Sequence, residues 1–142
     1  MASSRPEATG AAYGAALRAL MQRHGQVLQV AGNTPFLLDD PASAWLLLRG
    51  RIELFLVTTA AGQPHGPRHH FATLEAGALL PGLDSSPCVV APFGLLAVPH
   101  VNTEVCRVPM TALRALSADA ASARELAAPV DAWVLAVSHG LA

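Results

Sequence analysis

The stretch AWLLLRGRIELFLV, residues 44–57, joins two apolar runs across a short polar break. Residues 45–48 are apolar throughout, which is typical of a strand that is buried on both faces. After the break, apolar and polar residues alternate with the period of two of a half-buried strand. Gly50 can take the positive φ of a tight turn. The stretch therefore predicts a β-hairpin.

The alternation after the break also assigns side chains to two faces of the second strand. One face is predicted to carry Ile52, Leu54 and Leu56. The opposite face is predicted to carry Arg51, Glu53, Phe55 and Val57.

The rest of the chain predicts further short strands between helical ends. Residues 6–24 have the spacing of a helix, and Gly25 is a natural C-terminal stop. Residues 60–67 predict a loop, and Pro129 is expected to interrupt the last helical segment, leaving a turn or two over 130–138. The other predicted extended segments are 26–30, 36–38, 68–74, 89–90, 94–98 and 103–108.

This order predicts a mainly β sandwich or small barrel in one domain. The expected division is an N-terminal helix over 1–25, a β-roll over 26–108 and C-terminal helices over 109–142. Only 13% of the residues are charged, against roughly a quarter in ordinary domains. We therefore expect an apolar surface that a second copy or another protein covers.

Charge and hydropathy argue against two classes of partner. All nine basic residues are arginine and none of them form a cluster, so we expect no nucleic-acid binding. The longest uncharged stretch, 85–103, contains three prolines and a histidine and does not predict a membrane span. The N-terminus lacks the pattern of a secretory signal. Cys88 and Cys106 lie in predicted strands and are expected to be buried thiols.

The hairpin resembles that of cyclic nucleotide-binding-like β-rolls. Leu74, Gly77 and Gly82 follow it and are similar to the family's glycine turn. This resemblance implies a β-roll of the jelly-roll type with flanking helices. The hairpin residues that carry it are Trp45, Leu46, Leu47, Gly50, Ile52, Leu54 and Phe55.

A narrower resemblance is to the N-terminal region of NHLM/NHLP-type bacteriocin exporters. It implies a non-catalytic accessory domain at the cytoplasmic face of the inner membrane. Its partners would be the transmembrane and ATPase parts of the exporter, or the leader peptide of its cargo; the ATPase domain would lie outside this chain. The residues that carry it are 39–41, Trp45, 50–55, 66–70, Leu74, Gly77, Gly82 and 131–134.

The family's ligand residues are incomplete in this chain. In the family a glutamate follows the second glycine of the turn, and an arginine that holds the phosphate comes later. Here Leu83 follows Gly82, Asp84 is the nearest acid, and no arginine or lysine lies between Arg68 and Arg107. The resemblance therefore implies a roll that is degenerate for cyclic nucleotides, with no cofactor.

Two alternatives remain open from the sequence. A small-ligand or cyclic-nucleotide sensor would use Arg68 in place of the missing arginine, together with Gly77, Gly82 and Asp84. A cupin-like metal protein would use His69, His70 and Glu75. Neighbouring residues of a strand point to opposite faces, which argues against the second alternative.

The helical ends offer candidate contacts with a partner. Trp133 and Val137 share one face of the last helical segment with Val130 and Val134. Tyr13 and Leu17 are the corresponding candidates in the first helix.

Overall fold

The computed structural model describes residues 12–30, 34–84 and 93–141. The described strands form two antiparallel four-stranded sheets, with the orders β1-β8-β3-β6 and β2-β7-β4-β5. The strands are β1 (Gln26–Val30), β2 (Phe36–Leu37), β3 (Ser43–Arg49), β4 (Arg51–Ala60), β5 (Gln63–Glu75), β6 (Leu79–Pro81), β7 (Phe93–Pro99) and β8 (Thr103–Pro109).

Helices flank the strands in the sequence. They are α1 (Ala15–His24), α2 (Met110–Ser117), α3 (Ala120–Ala123), a 3-10 turn (Arg124–Leu126) and α4 (Ala127–Leu141). The Glu125 carboxylate accepts hydrogen bonds from the backbone N–H groups of Ala16 and Leu17, which are unpaired within α1. These hydrogen bonds join α1 to the 3-10 turn between α3 and α4. No helix within the described ranges is long and apolar enough to cross a membrane.

Strand β3 lies between two hydrophobic clusters. Leu47 faces the cluster between the sheets, with Ile52 and Val105. Leu46 faces a second cluster, formed with Leu17 of α1 and other residues of the helical ends. Six consecutive residues of β3 are buried, which explains its continuous apolar run. Gly50 has φ of 93° in the turn to β4, as predicted.

Strand β4 keeps the predicted alternation on one face. Its pairing with β7 runs from Ile52 to Thr58 without a register shift, whereas its pairing with β5 shifts after Leu54 and again after Leu56. Leu56 packs against the cluster that contains Ile52 and Leu54, as predicted. Val57, predicted on the opposite face, is buried at 2% exposure.

The predicted loop over 60–67 is the end of a long hairpin. Strand β5 begins at Gln63, and the turn consists of Ala61 and Gly62 with φ of 54° and 75°. Pro64 and Pro67 belong to an edge strand of the sheet, which is where strands tolerate proline. The prolines thus gave a misleading loop signal.

The helical ends also differ from the prediction. Helix α1 begins at Ala15, after Gly14, and the earlier part of the predicted helix over 6–11 lies outside the described residues. Pro129 lies in the first turn of α4, where the backbone N–H groups have no intrahelical acceptor. It therefore fits inside a helix of 15 residues instead of interrupting it.

Candidate ligand-binding cavity

A cavity of about 400 Å³ opens beside strands β2, β4 and β7. Most of its wall is apolar, and Thr59, Gly62 and Gly94 contribute small surfaces. The large apolar side chains that line it are Leu37, Leu38, Leu56, Phe71, Leu83, Phe93 and Leu95.

Two backbone hydrogen bonds determine how one side of the cavity is built. The Leu38 N–H donates to the Leu95 carbonyl oxygen at 3.0 Å, and the Leu83 N–H donates to the Leu38 carbonyl oxygen at 3.0 Å. Three segments that are distant in sequence are thereby held side by side. Asp39 and Asp84 directly follow the paired residues, and both line the cavity.

The cavity offers no matching charge for a phosphate. Its described lining contains two carboxylates and no arginine, lysine or histidine. Residues 85–92, which are not described, contain no charged residue either. A buried phosphate without a cation or a set of N–H donors is costly to desolvate. The described part of the cavity wall therefore offers no cation to a phosphate.

The four predicted ligand residues do not come together. Asp84 lines the cavity, whereas Arg68 is exposed on β5 and is not part of the wall. The Gly77 N–H donates to the Leu47 carbonyl oxygen at 3.1 Å in a turn. Gly82 is packed against the backbone of Asp40. The two glycines therefore have structural roles.

Arg107, the next arginine in the sequence, does not take the place of Arg68. It donates to the Asp40 carboxylate at 2.6 Å and to the Ser43 hydroxyl at 3.1 Å. Its guanidinium group lies over the Trp45 ring at 5.7 Å from the centroid. These contacts hold the 40–43 turn against β8.

A polar cluster that the sequence did not predict lies outside the cavity. Glu53 accepts hydrogen bonds from His70 Nε2 at 2.7 Å, His100 Nε2 at 2.8 Å and the Thr73 hydroxyl at 2.5 Å. One carboxylate thus joins β4 to β5 and to the turn after β7. The register of β4 against β5 places Glu53 opposite Thr73, which would have indicated the contact between these two residues. The bulges in this pairing made the register unpredictable from the sequence.

The proposed metal ligands have other partners. His70 contacts Glu53, Glu75 pairs with Arg51 at 3.5 Å, and His69 is exposed. Within residues 12–30, 34–84 and 93–141, no three histidine, cysteine or acidic side chains are arranged to hold a metal ion. Cys106 is buried and free, as expected, and Cys88 lies outside the described residues.

We expect Glu53 to give the protein a pH-dependent stability. Partial burial raises the pKa of its carboxyl group, but hydrogen bonds from Thr73, His70 and His100 outweigh this and lower the pKa from 4.5 to about 2. Because the pKa is depressed in the folded state, this stabilisation is present above pH 4.5 and is lost as the pH falls through about 2.

Glu53→Gln is therefore expected to cost about 2 kcal/mol at pH 7 and progressively less towards pH 2. Urea unfolding of both proteins between pH 7 and pH 2 measures the difference. The control is Glu75→Gln, whose side chain is 73% exposed. This change should cost less than about 0.5 kcal/mol throughout. A Glu53→Gln cost that stays constant with pH would contradict the assignment.

The candidate contacts with a partner differ in their accessibility. Tyr13 and Leu17 are 3% and 0% exposed and pack inside this chain, so neither presents a surface to a partner. Trp133 is half-buried and packs on the cluster between the sheets. Val137 is half-buried, whereas Val134 is 52% exposed.

Comparison with known proteins identifies the fold. No protein-family model and no curated protein matches the chain. A mutant of CooA from Carboxydothermus hydrogenoformans is similar, with a TM-score of 0.56 and 11% identity over 90% of this chain and 76% of that one. A protein of the crp/fnr family of transcriptional regulators, from Eubacterium rectale, has a TM-score of 0.56 and 13% identity over 88% and 57%.

Oxidised CprK in complex with o-chlorophenolacetic acid is also similar. Its TM-score is 0.55, with 15% identity over 89% of this chain and 48% of that one. The chain thus spans about half the length of CprK. Identities this low show the fold alone, which is the cyclic nucleotide-binding-like β-roll with flanking helices that the sequence predicted.

Proposed function

We propose that this chain is a non-catalytic sensor domain that binds a small apolar molecule in the cavity of its β-roll. The observation that carries the proposal is the cavity of about 400 Å³ with seven large apolar side chains in its wall. Cavities of this size and composition suit small-molecule ligands. The absence of a cation from the described lining favours an apolar ligand over a cyclic nucleotide.

The similar structures support this proposal at the level of the fold. CprK, whose fold is similar, was solved in complex with the small aromatic acid o-chlorophenolacetic acid. A roll of this type therefore occurs in a protein that binds a small aromatic molecule. The sensor alternative based on Arg68 has no such support, because Arg68 does not line the cavity.

The test is binding of the uncharged fluorescent probe N-phenylnaphthylamine. We expect a saturable rise in fluorescence with one site per chain. Leu56→Trp fills the cavity from strand β4 and should weaken binding at least about tenfold. Thr59→Phe is a second filling variant. Both variants are first checked by circular dichroism, so that loss of binding is not loss of fold.

Leu135→Trp is the matched control, because Leu135 is 61% exposed on α4, away from the cavity. It should leave the affinity unchanged, and an excess of cyclic AMP should not displace the probe. Absence of saturable binding, or unchanged binding by both folded filling variants, would overturn the proposal.

We propose as a second candidate the accessory role in peptide export that the resemblance implies. The exposed side chains Val130, Val134 and Leu135 of α4 favour it, because they form an apolar surface for a partner. The similar structures include a transcriptional regulator and give the exporter context no support. If the chain captured neither the exporter core nor a leader peptide, this role would be overturned.

That the chain is non-catalytic and binds no nucleic acid stays a prediction. The similar regulator is longer than this chain, which covers 57% of it, so its activity is not carried over.

A further inference from the structure

We propose that two copies of this chain associate by pairing their β1 strands edge to edge, in an antiparallel and two-fold arrangement. Such pairing would make one continuous sheet from the two sheets that contain β1. The observation that carries the proposal is that β1 is an edge strand without the features that protect the other sheet edges. This surface is separate from the ligand cavity, which β1 does not line.

The other sheet edges are protected. Among the described strands, the sheet orders place β1, β2, β5 and β6 at the edges. Strands β2 and β6 have only two and three residues, and β6 ends at Pro81. Strand β5 contains Pro64, Pro67 and Arg68, and its pairing with β4 has two register shifts. Short length, proline, charge and bulges all prevent a further strand from pairing with an edge.

Strand β1 has none of these protective features. Its five residues, QVLQV, include no proline and no charged side chain. Its pairing with β8 runs from Gln26 to Val30 without a register shift. Within the described ranges, no backbone–backbone hydrogen bond joins residues 26–30 to a segment other than β8. The outer edge of β1 therefore presents unpaired N–H and C=O groups, which are what an added strand binds.

Charge favours a second copy as the added strand. Because β1 is uncharged, two copies of it can lie side by side with no like charges opposite each other. The formal net charge of −1 also leaves little repulsion between two whole chains. The pairing would cover part of the Val27 side chain, which is 57% exposed.

Charge also favours the antiparallel direction. Arg23 is exposed in the last turn of α1, just before β1. Parallel pairing would bring the two copies of Arg23 together. A two-fold axis at Leu28, the middle residue of β1, pairs the whole strand and separates them by about 30 Å, well beyond the Debye length of about 8 Å. The same axis places the two copies of Val27 on one face, about 7 Å apart.

The expected dimer is weak, because the joined edge is short. Pairing of five residues is expected to cover less than the roughly 800 Å² per partner of a standard interface. We therefore expect a Kd on the order of 10 to 100 µM.

Sedimentation equilibrium of the full chain, from about 10 µM to about 1 mM, measures the association. We expect a reversible equilibrium between monomer and dimer. Amide hydrogen exchange of residues 26–30 should be slower at the highest concentration than at the lowest, whereas exchange of β5 should not change. This second measurement needs no variant, so it tests the proposal independently of how a variant folds.

Val27→Lys and Val27→Glu test the position of the interface. Each places two like charges about 7 Å apart in the dimer and should weaken dimerisation at least about tenfold. An equimolar mixture of the two variants should restore the association, because it brings opposite charges together. Circular dichroism first checks that both variants are folded.

Val134→Lys is the matched control, because Val134 is 52% exposed on α4. It should leave the Kd unchanged. A chain that stays monomeric up to about 1 mM would overturn the proposal. So would a dimer in which residues 26–30 gain no protection, or one that Val134→Lys disrupts and Val27→Lys does not.

Discussion

Replacing Gly82 with alanine is expected to lower the free energy of unfolding by about 3 kcal/mol. A Cβ atom at this position would overlap the carbonyl oxygen of Asp40 and lie 2.7 Å from that of Ser43. The Gly82 N–H also donates to the Ser43 carbonyl oxygen at 2.9 Å, so the two segments cannot separate without losing this bond.

The segment that Gly82 contacts has little freedom to move. The Asp40 carboxylate accepts hydrogen bonds from the Ala42 N–H at 3.0 Å, the Ser43 hydroxyl at 2.9 Å and Arg107 at 2.6 Å. Backbone atoms held in this way cannot yield as a flexible side chain would. The extra methyl group is therefore expected to lower the free energy of unfolding and not to be accommodated by a local shift.

Urea unfolding measures this cost, and Gly62→Ala is the matched control. Gly62 has φ of 75°, and nothing lies within 4 Å of a Cβ added there. The control should cost about 1 kcal/mol, from the strained backbone alone. Equal costs for the two variants would mean that close packing at Gly82 is not what requires glycine.

The outcome for Gly82 shows what a sequence pattern can and cannot predict. The resemblance marked Gly77 and Gly82 as candidate ligand residues from their spacing. The reason for glycine at position 82 is a contact with residues about 40 positions earlier, and spacing contains no information about such contacts.

The same limit explains how much of the fold the sequence predicted. The apolar run of β3 and the turn at Gly50 depend on neighbouring residues, and both were predicted correctly. The bulges after Leu54 and Leu56 depend on pairing with β5, and local patterns did not predict them.

The cavity lies beyond what local patterns can reveal. Its wall depends on the long-range pairing of Leu38 with both Leu83 and Leu95. The sequence predicted Asp84 as a candidate but gave no signal that Asp39 would line the same cavity.

Tyr13→Ala is expected to destabilise the protein by about 4 kcal/mol, because it removes a large buried ring. The Tyr13 side chain is 3% exposed and packs in the cluster between β3 and the helical ends. Its hydroxyl group lies 2.8 Å from the Leu47 carbonyl oxygen and 2.6 Å from that of Ala78. Burial also raises the pKa of this hydroxyl group, which stays protonated.

Tyr13→Phe separates the ring from the hydroxyl group. It keeps the packing and should cost only about 1 kcal/mol, from the lost hydrogen bond of the hydroxyl group, because both carbonyl oxygens keep a backbone N–H donor. Both variants are compared by urea unfolding of the isolated chain. If Tyr13 were instead a contact for a partner, Tyr13→Ala would leave the stability of the isolated chain nearly unchanged. A loss of several kcal/mol in the unfolding free energy of the isolated chain would mean that Tyr13 stabilises the fold itself, by holding the N-terminal segment and α1 against the roll.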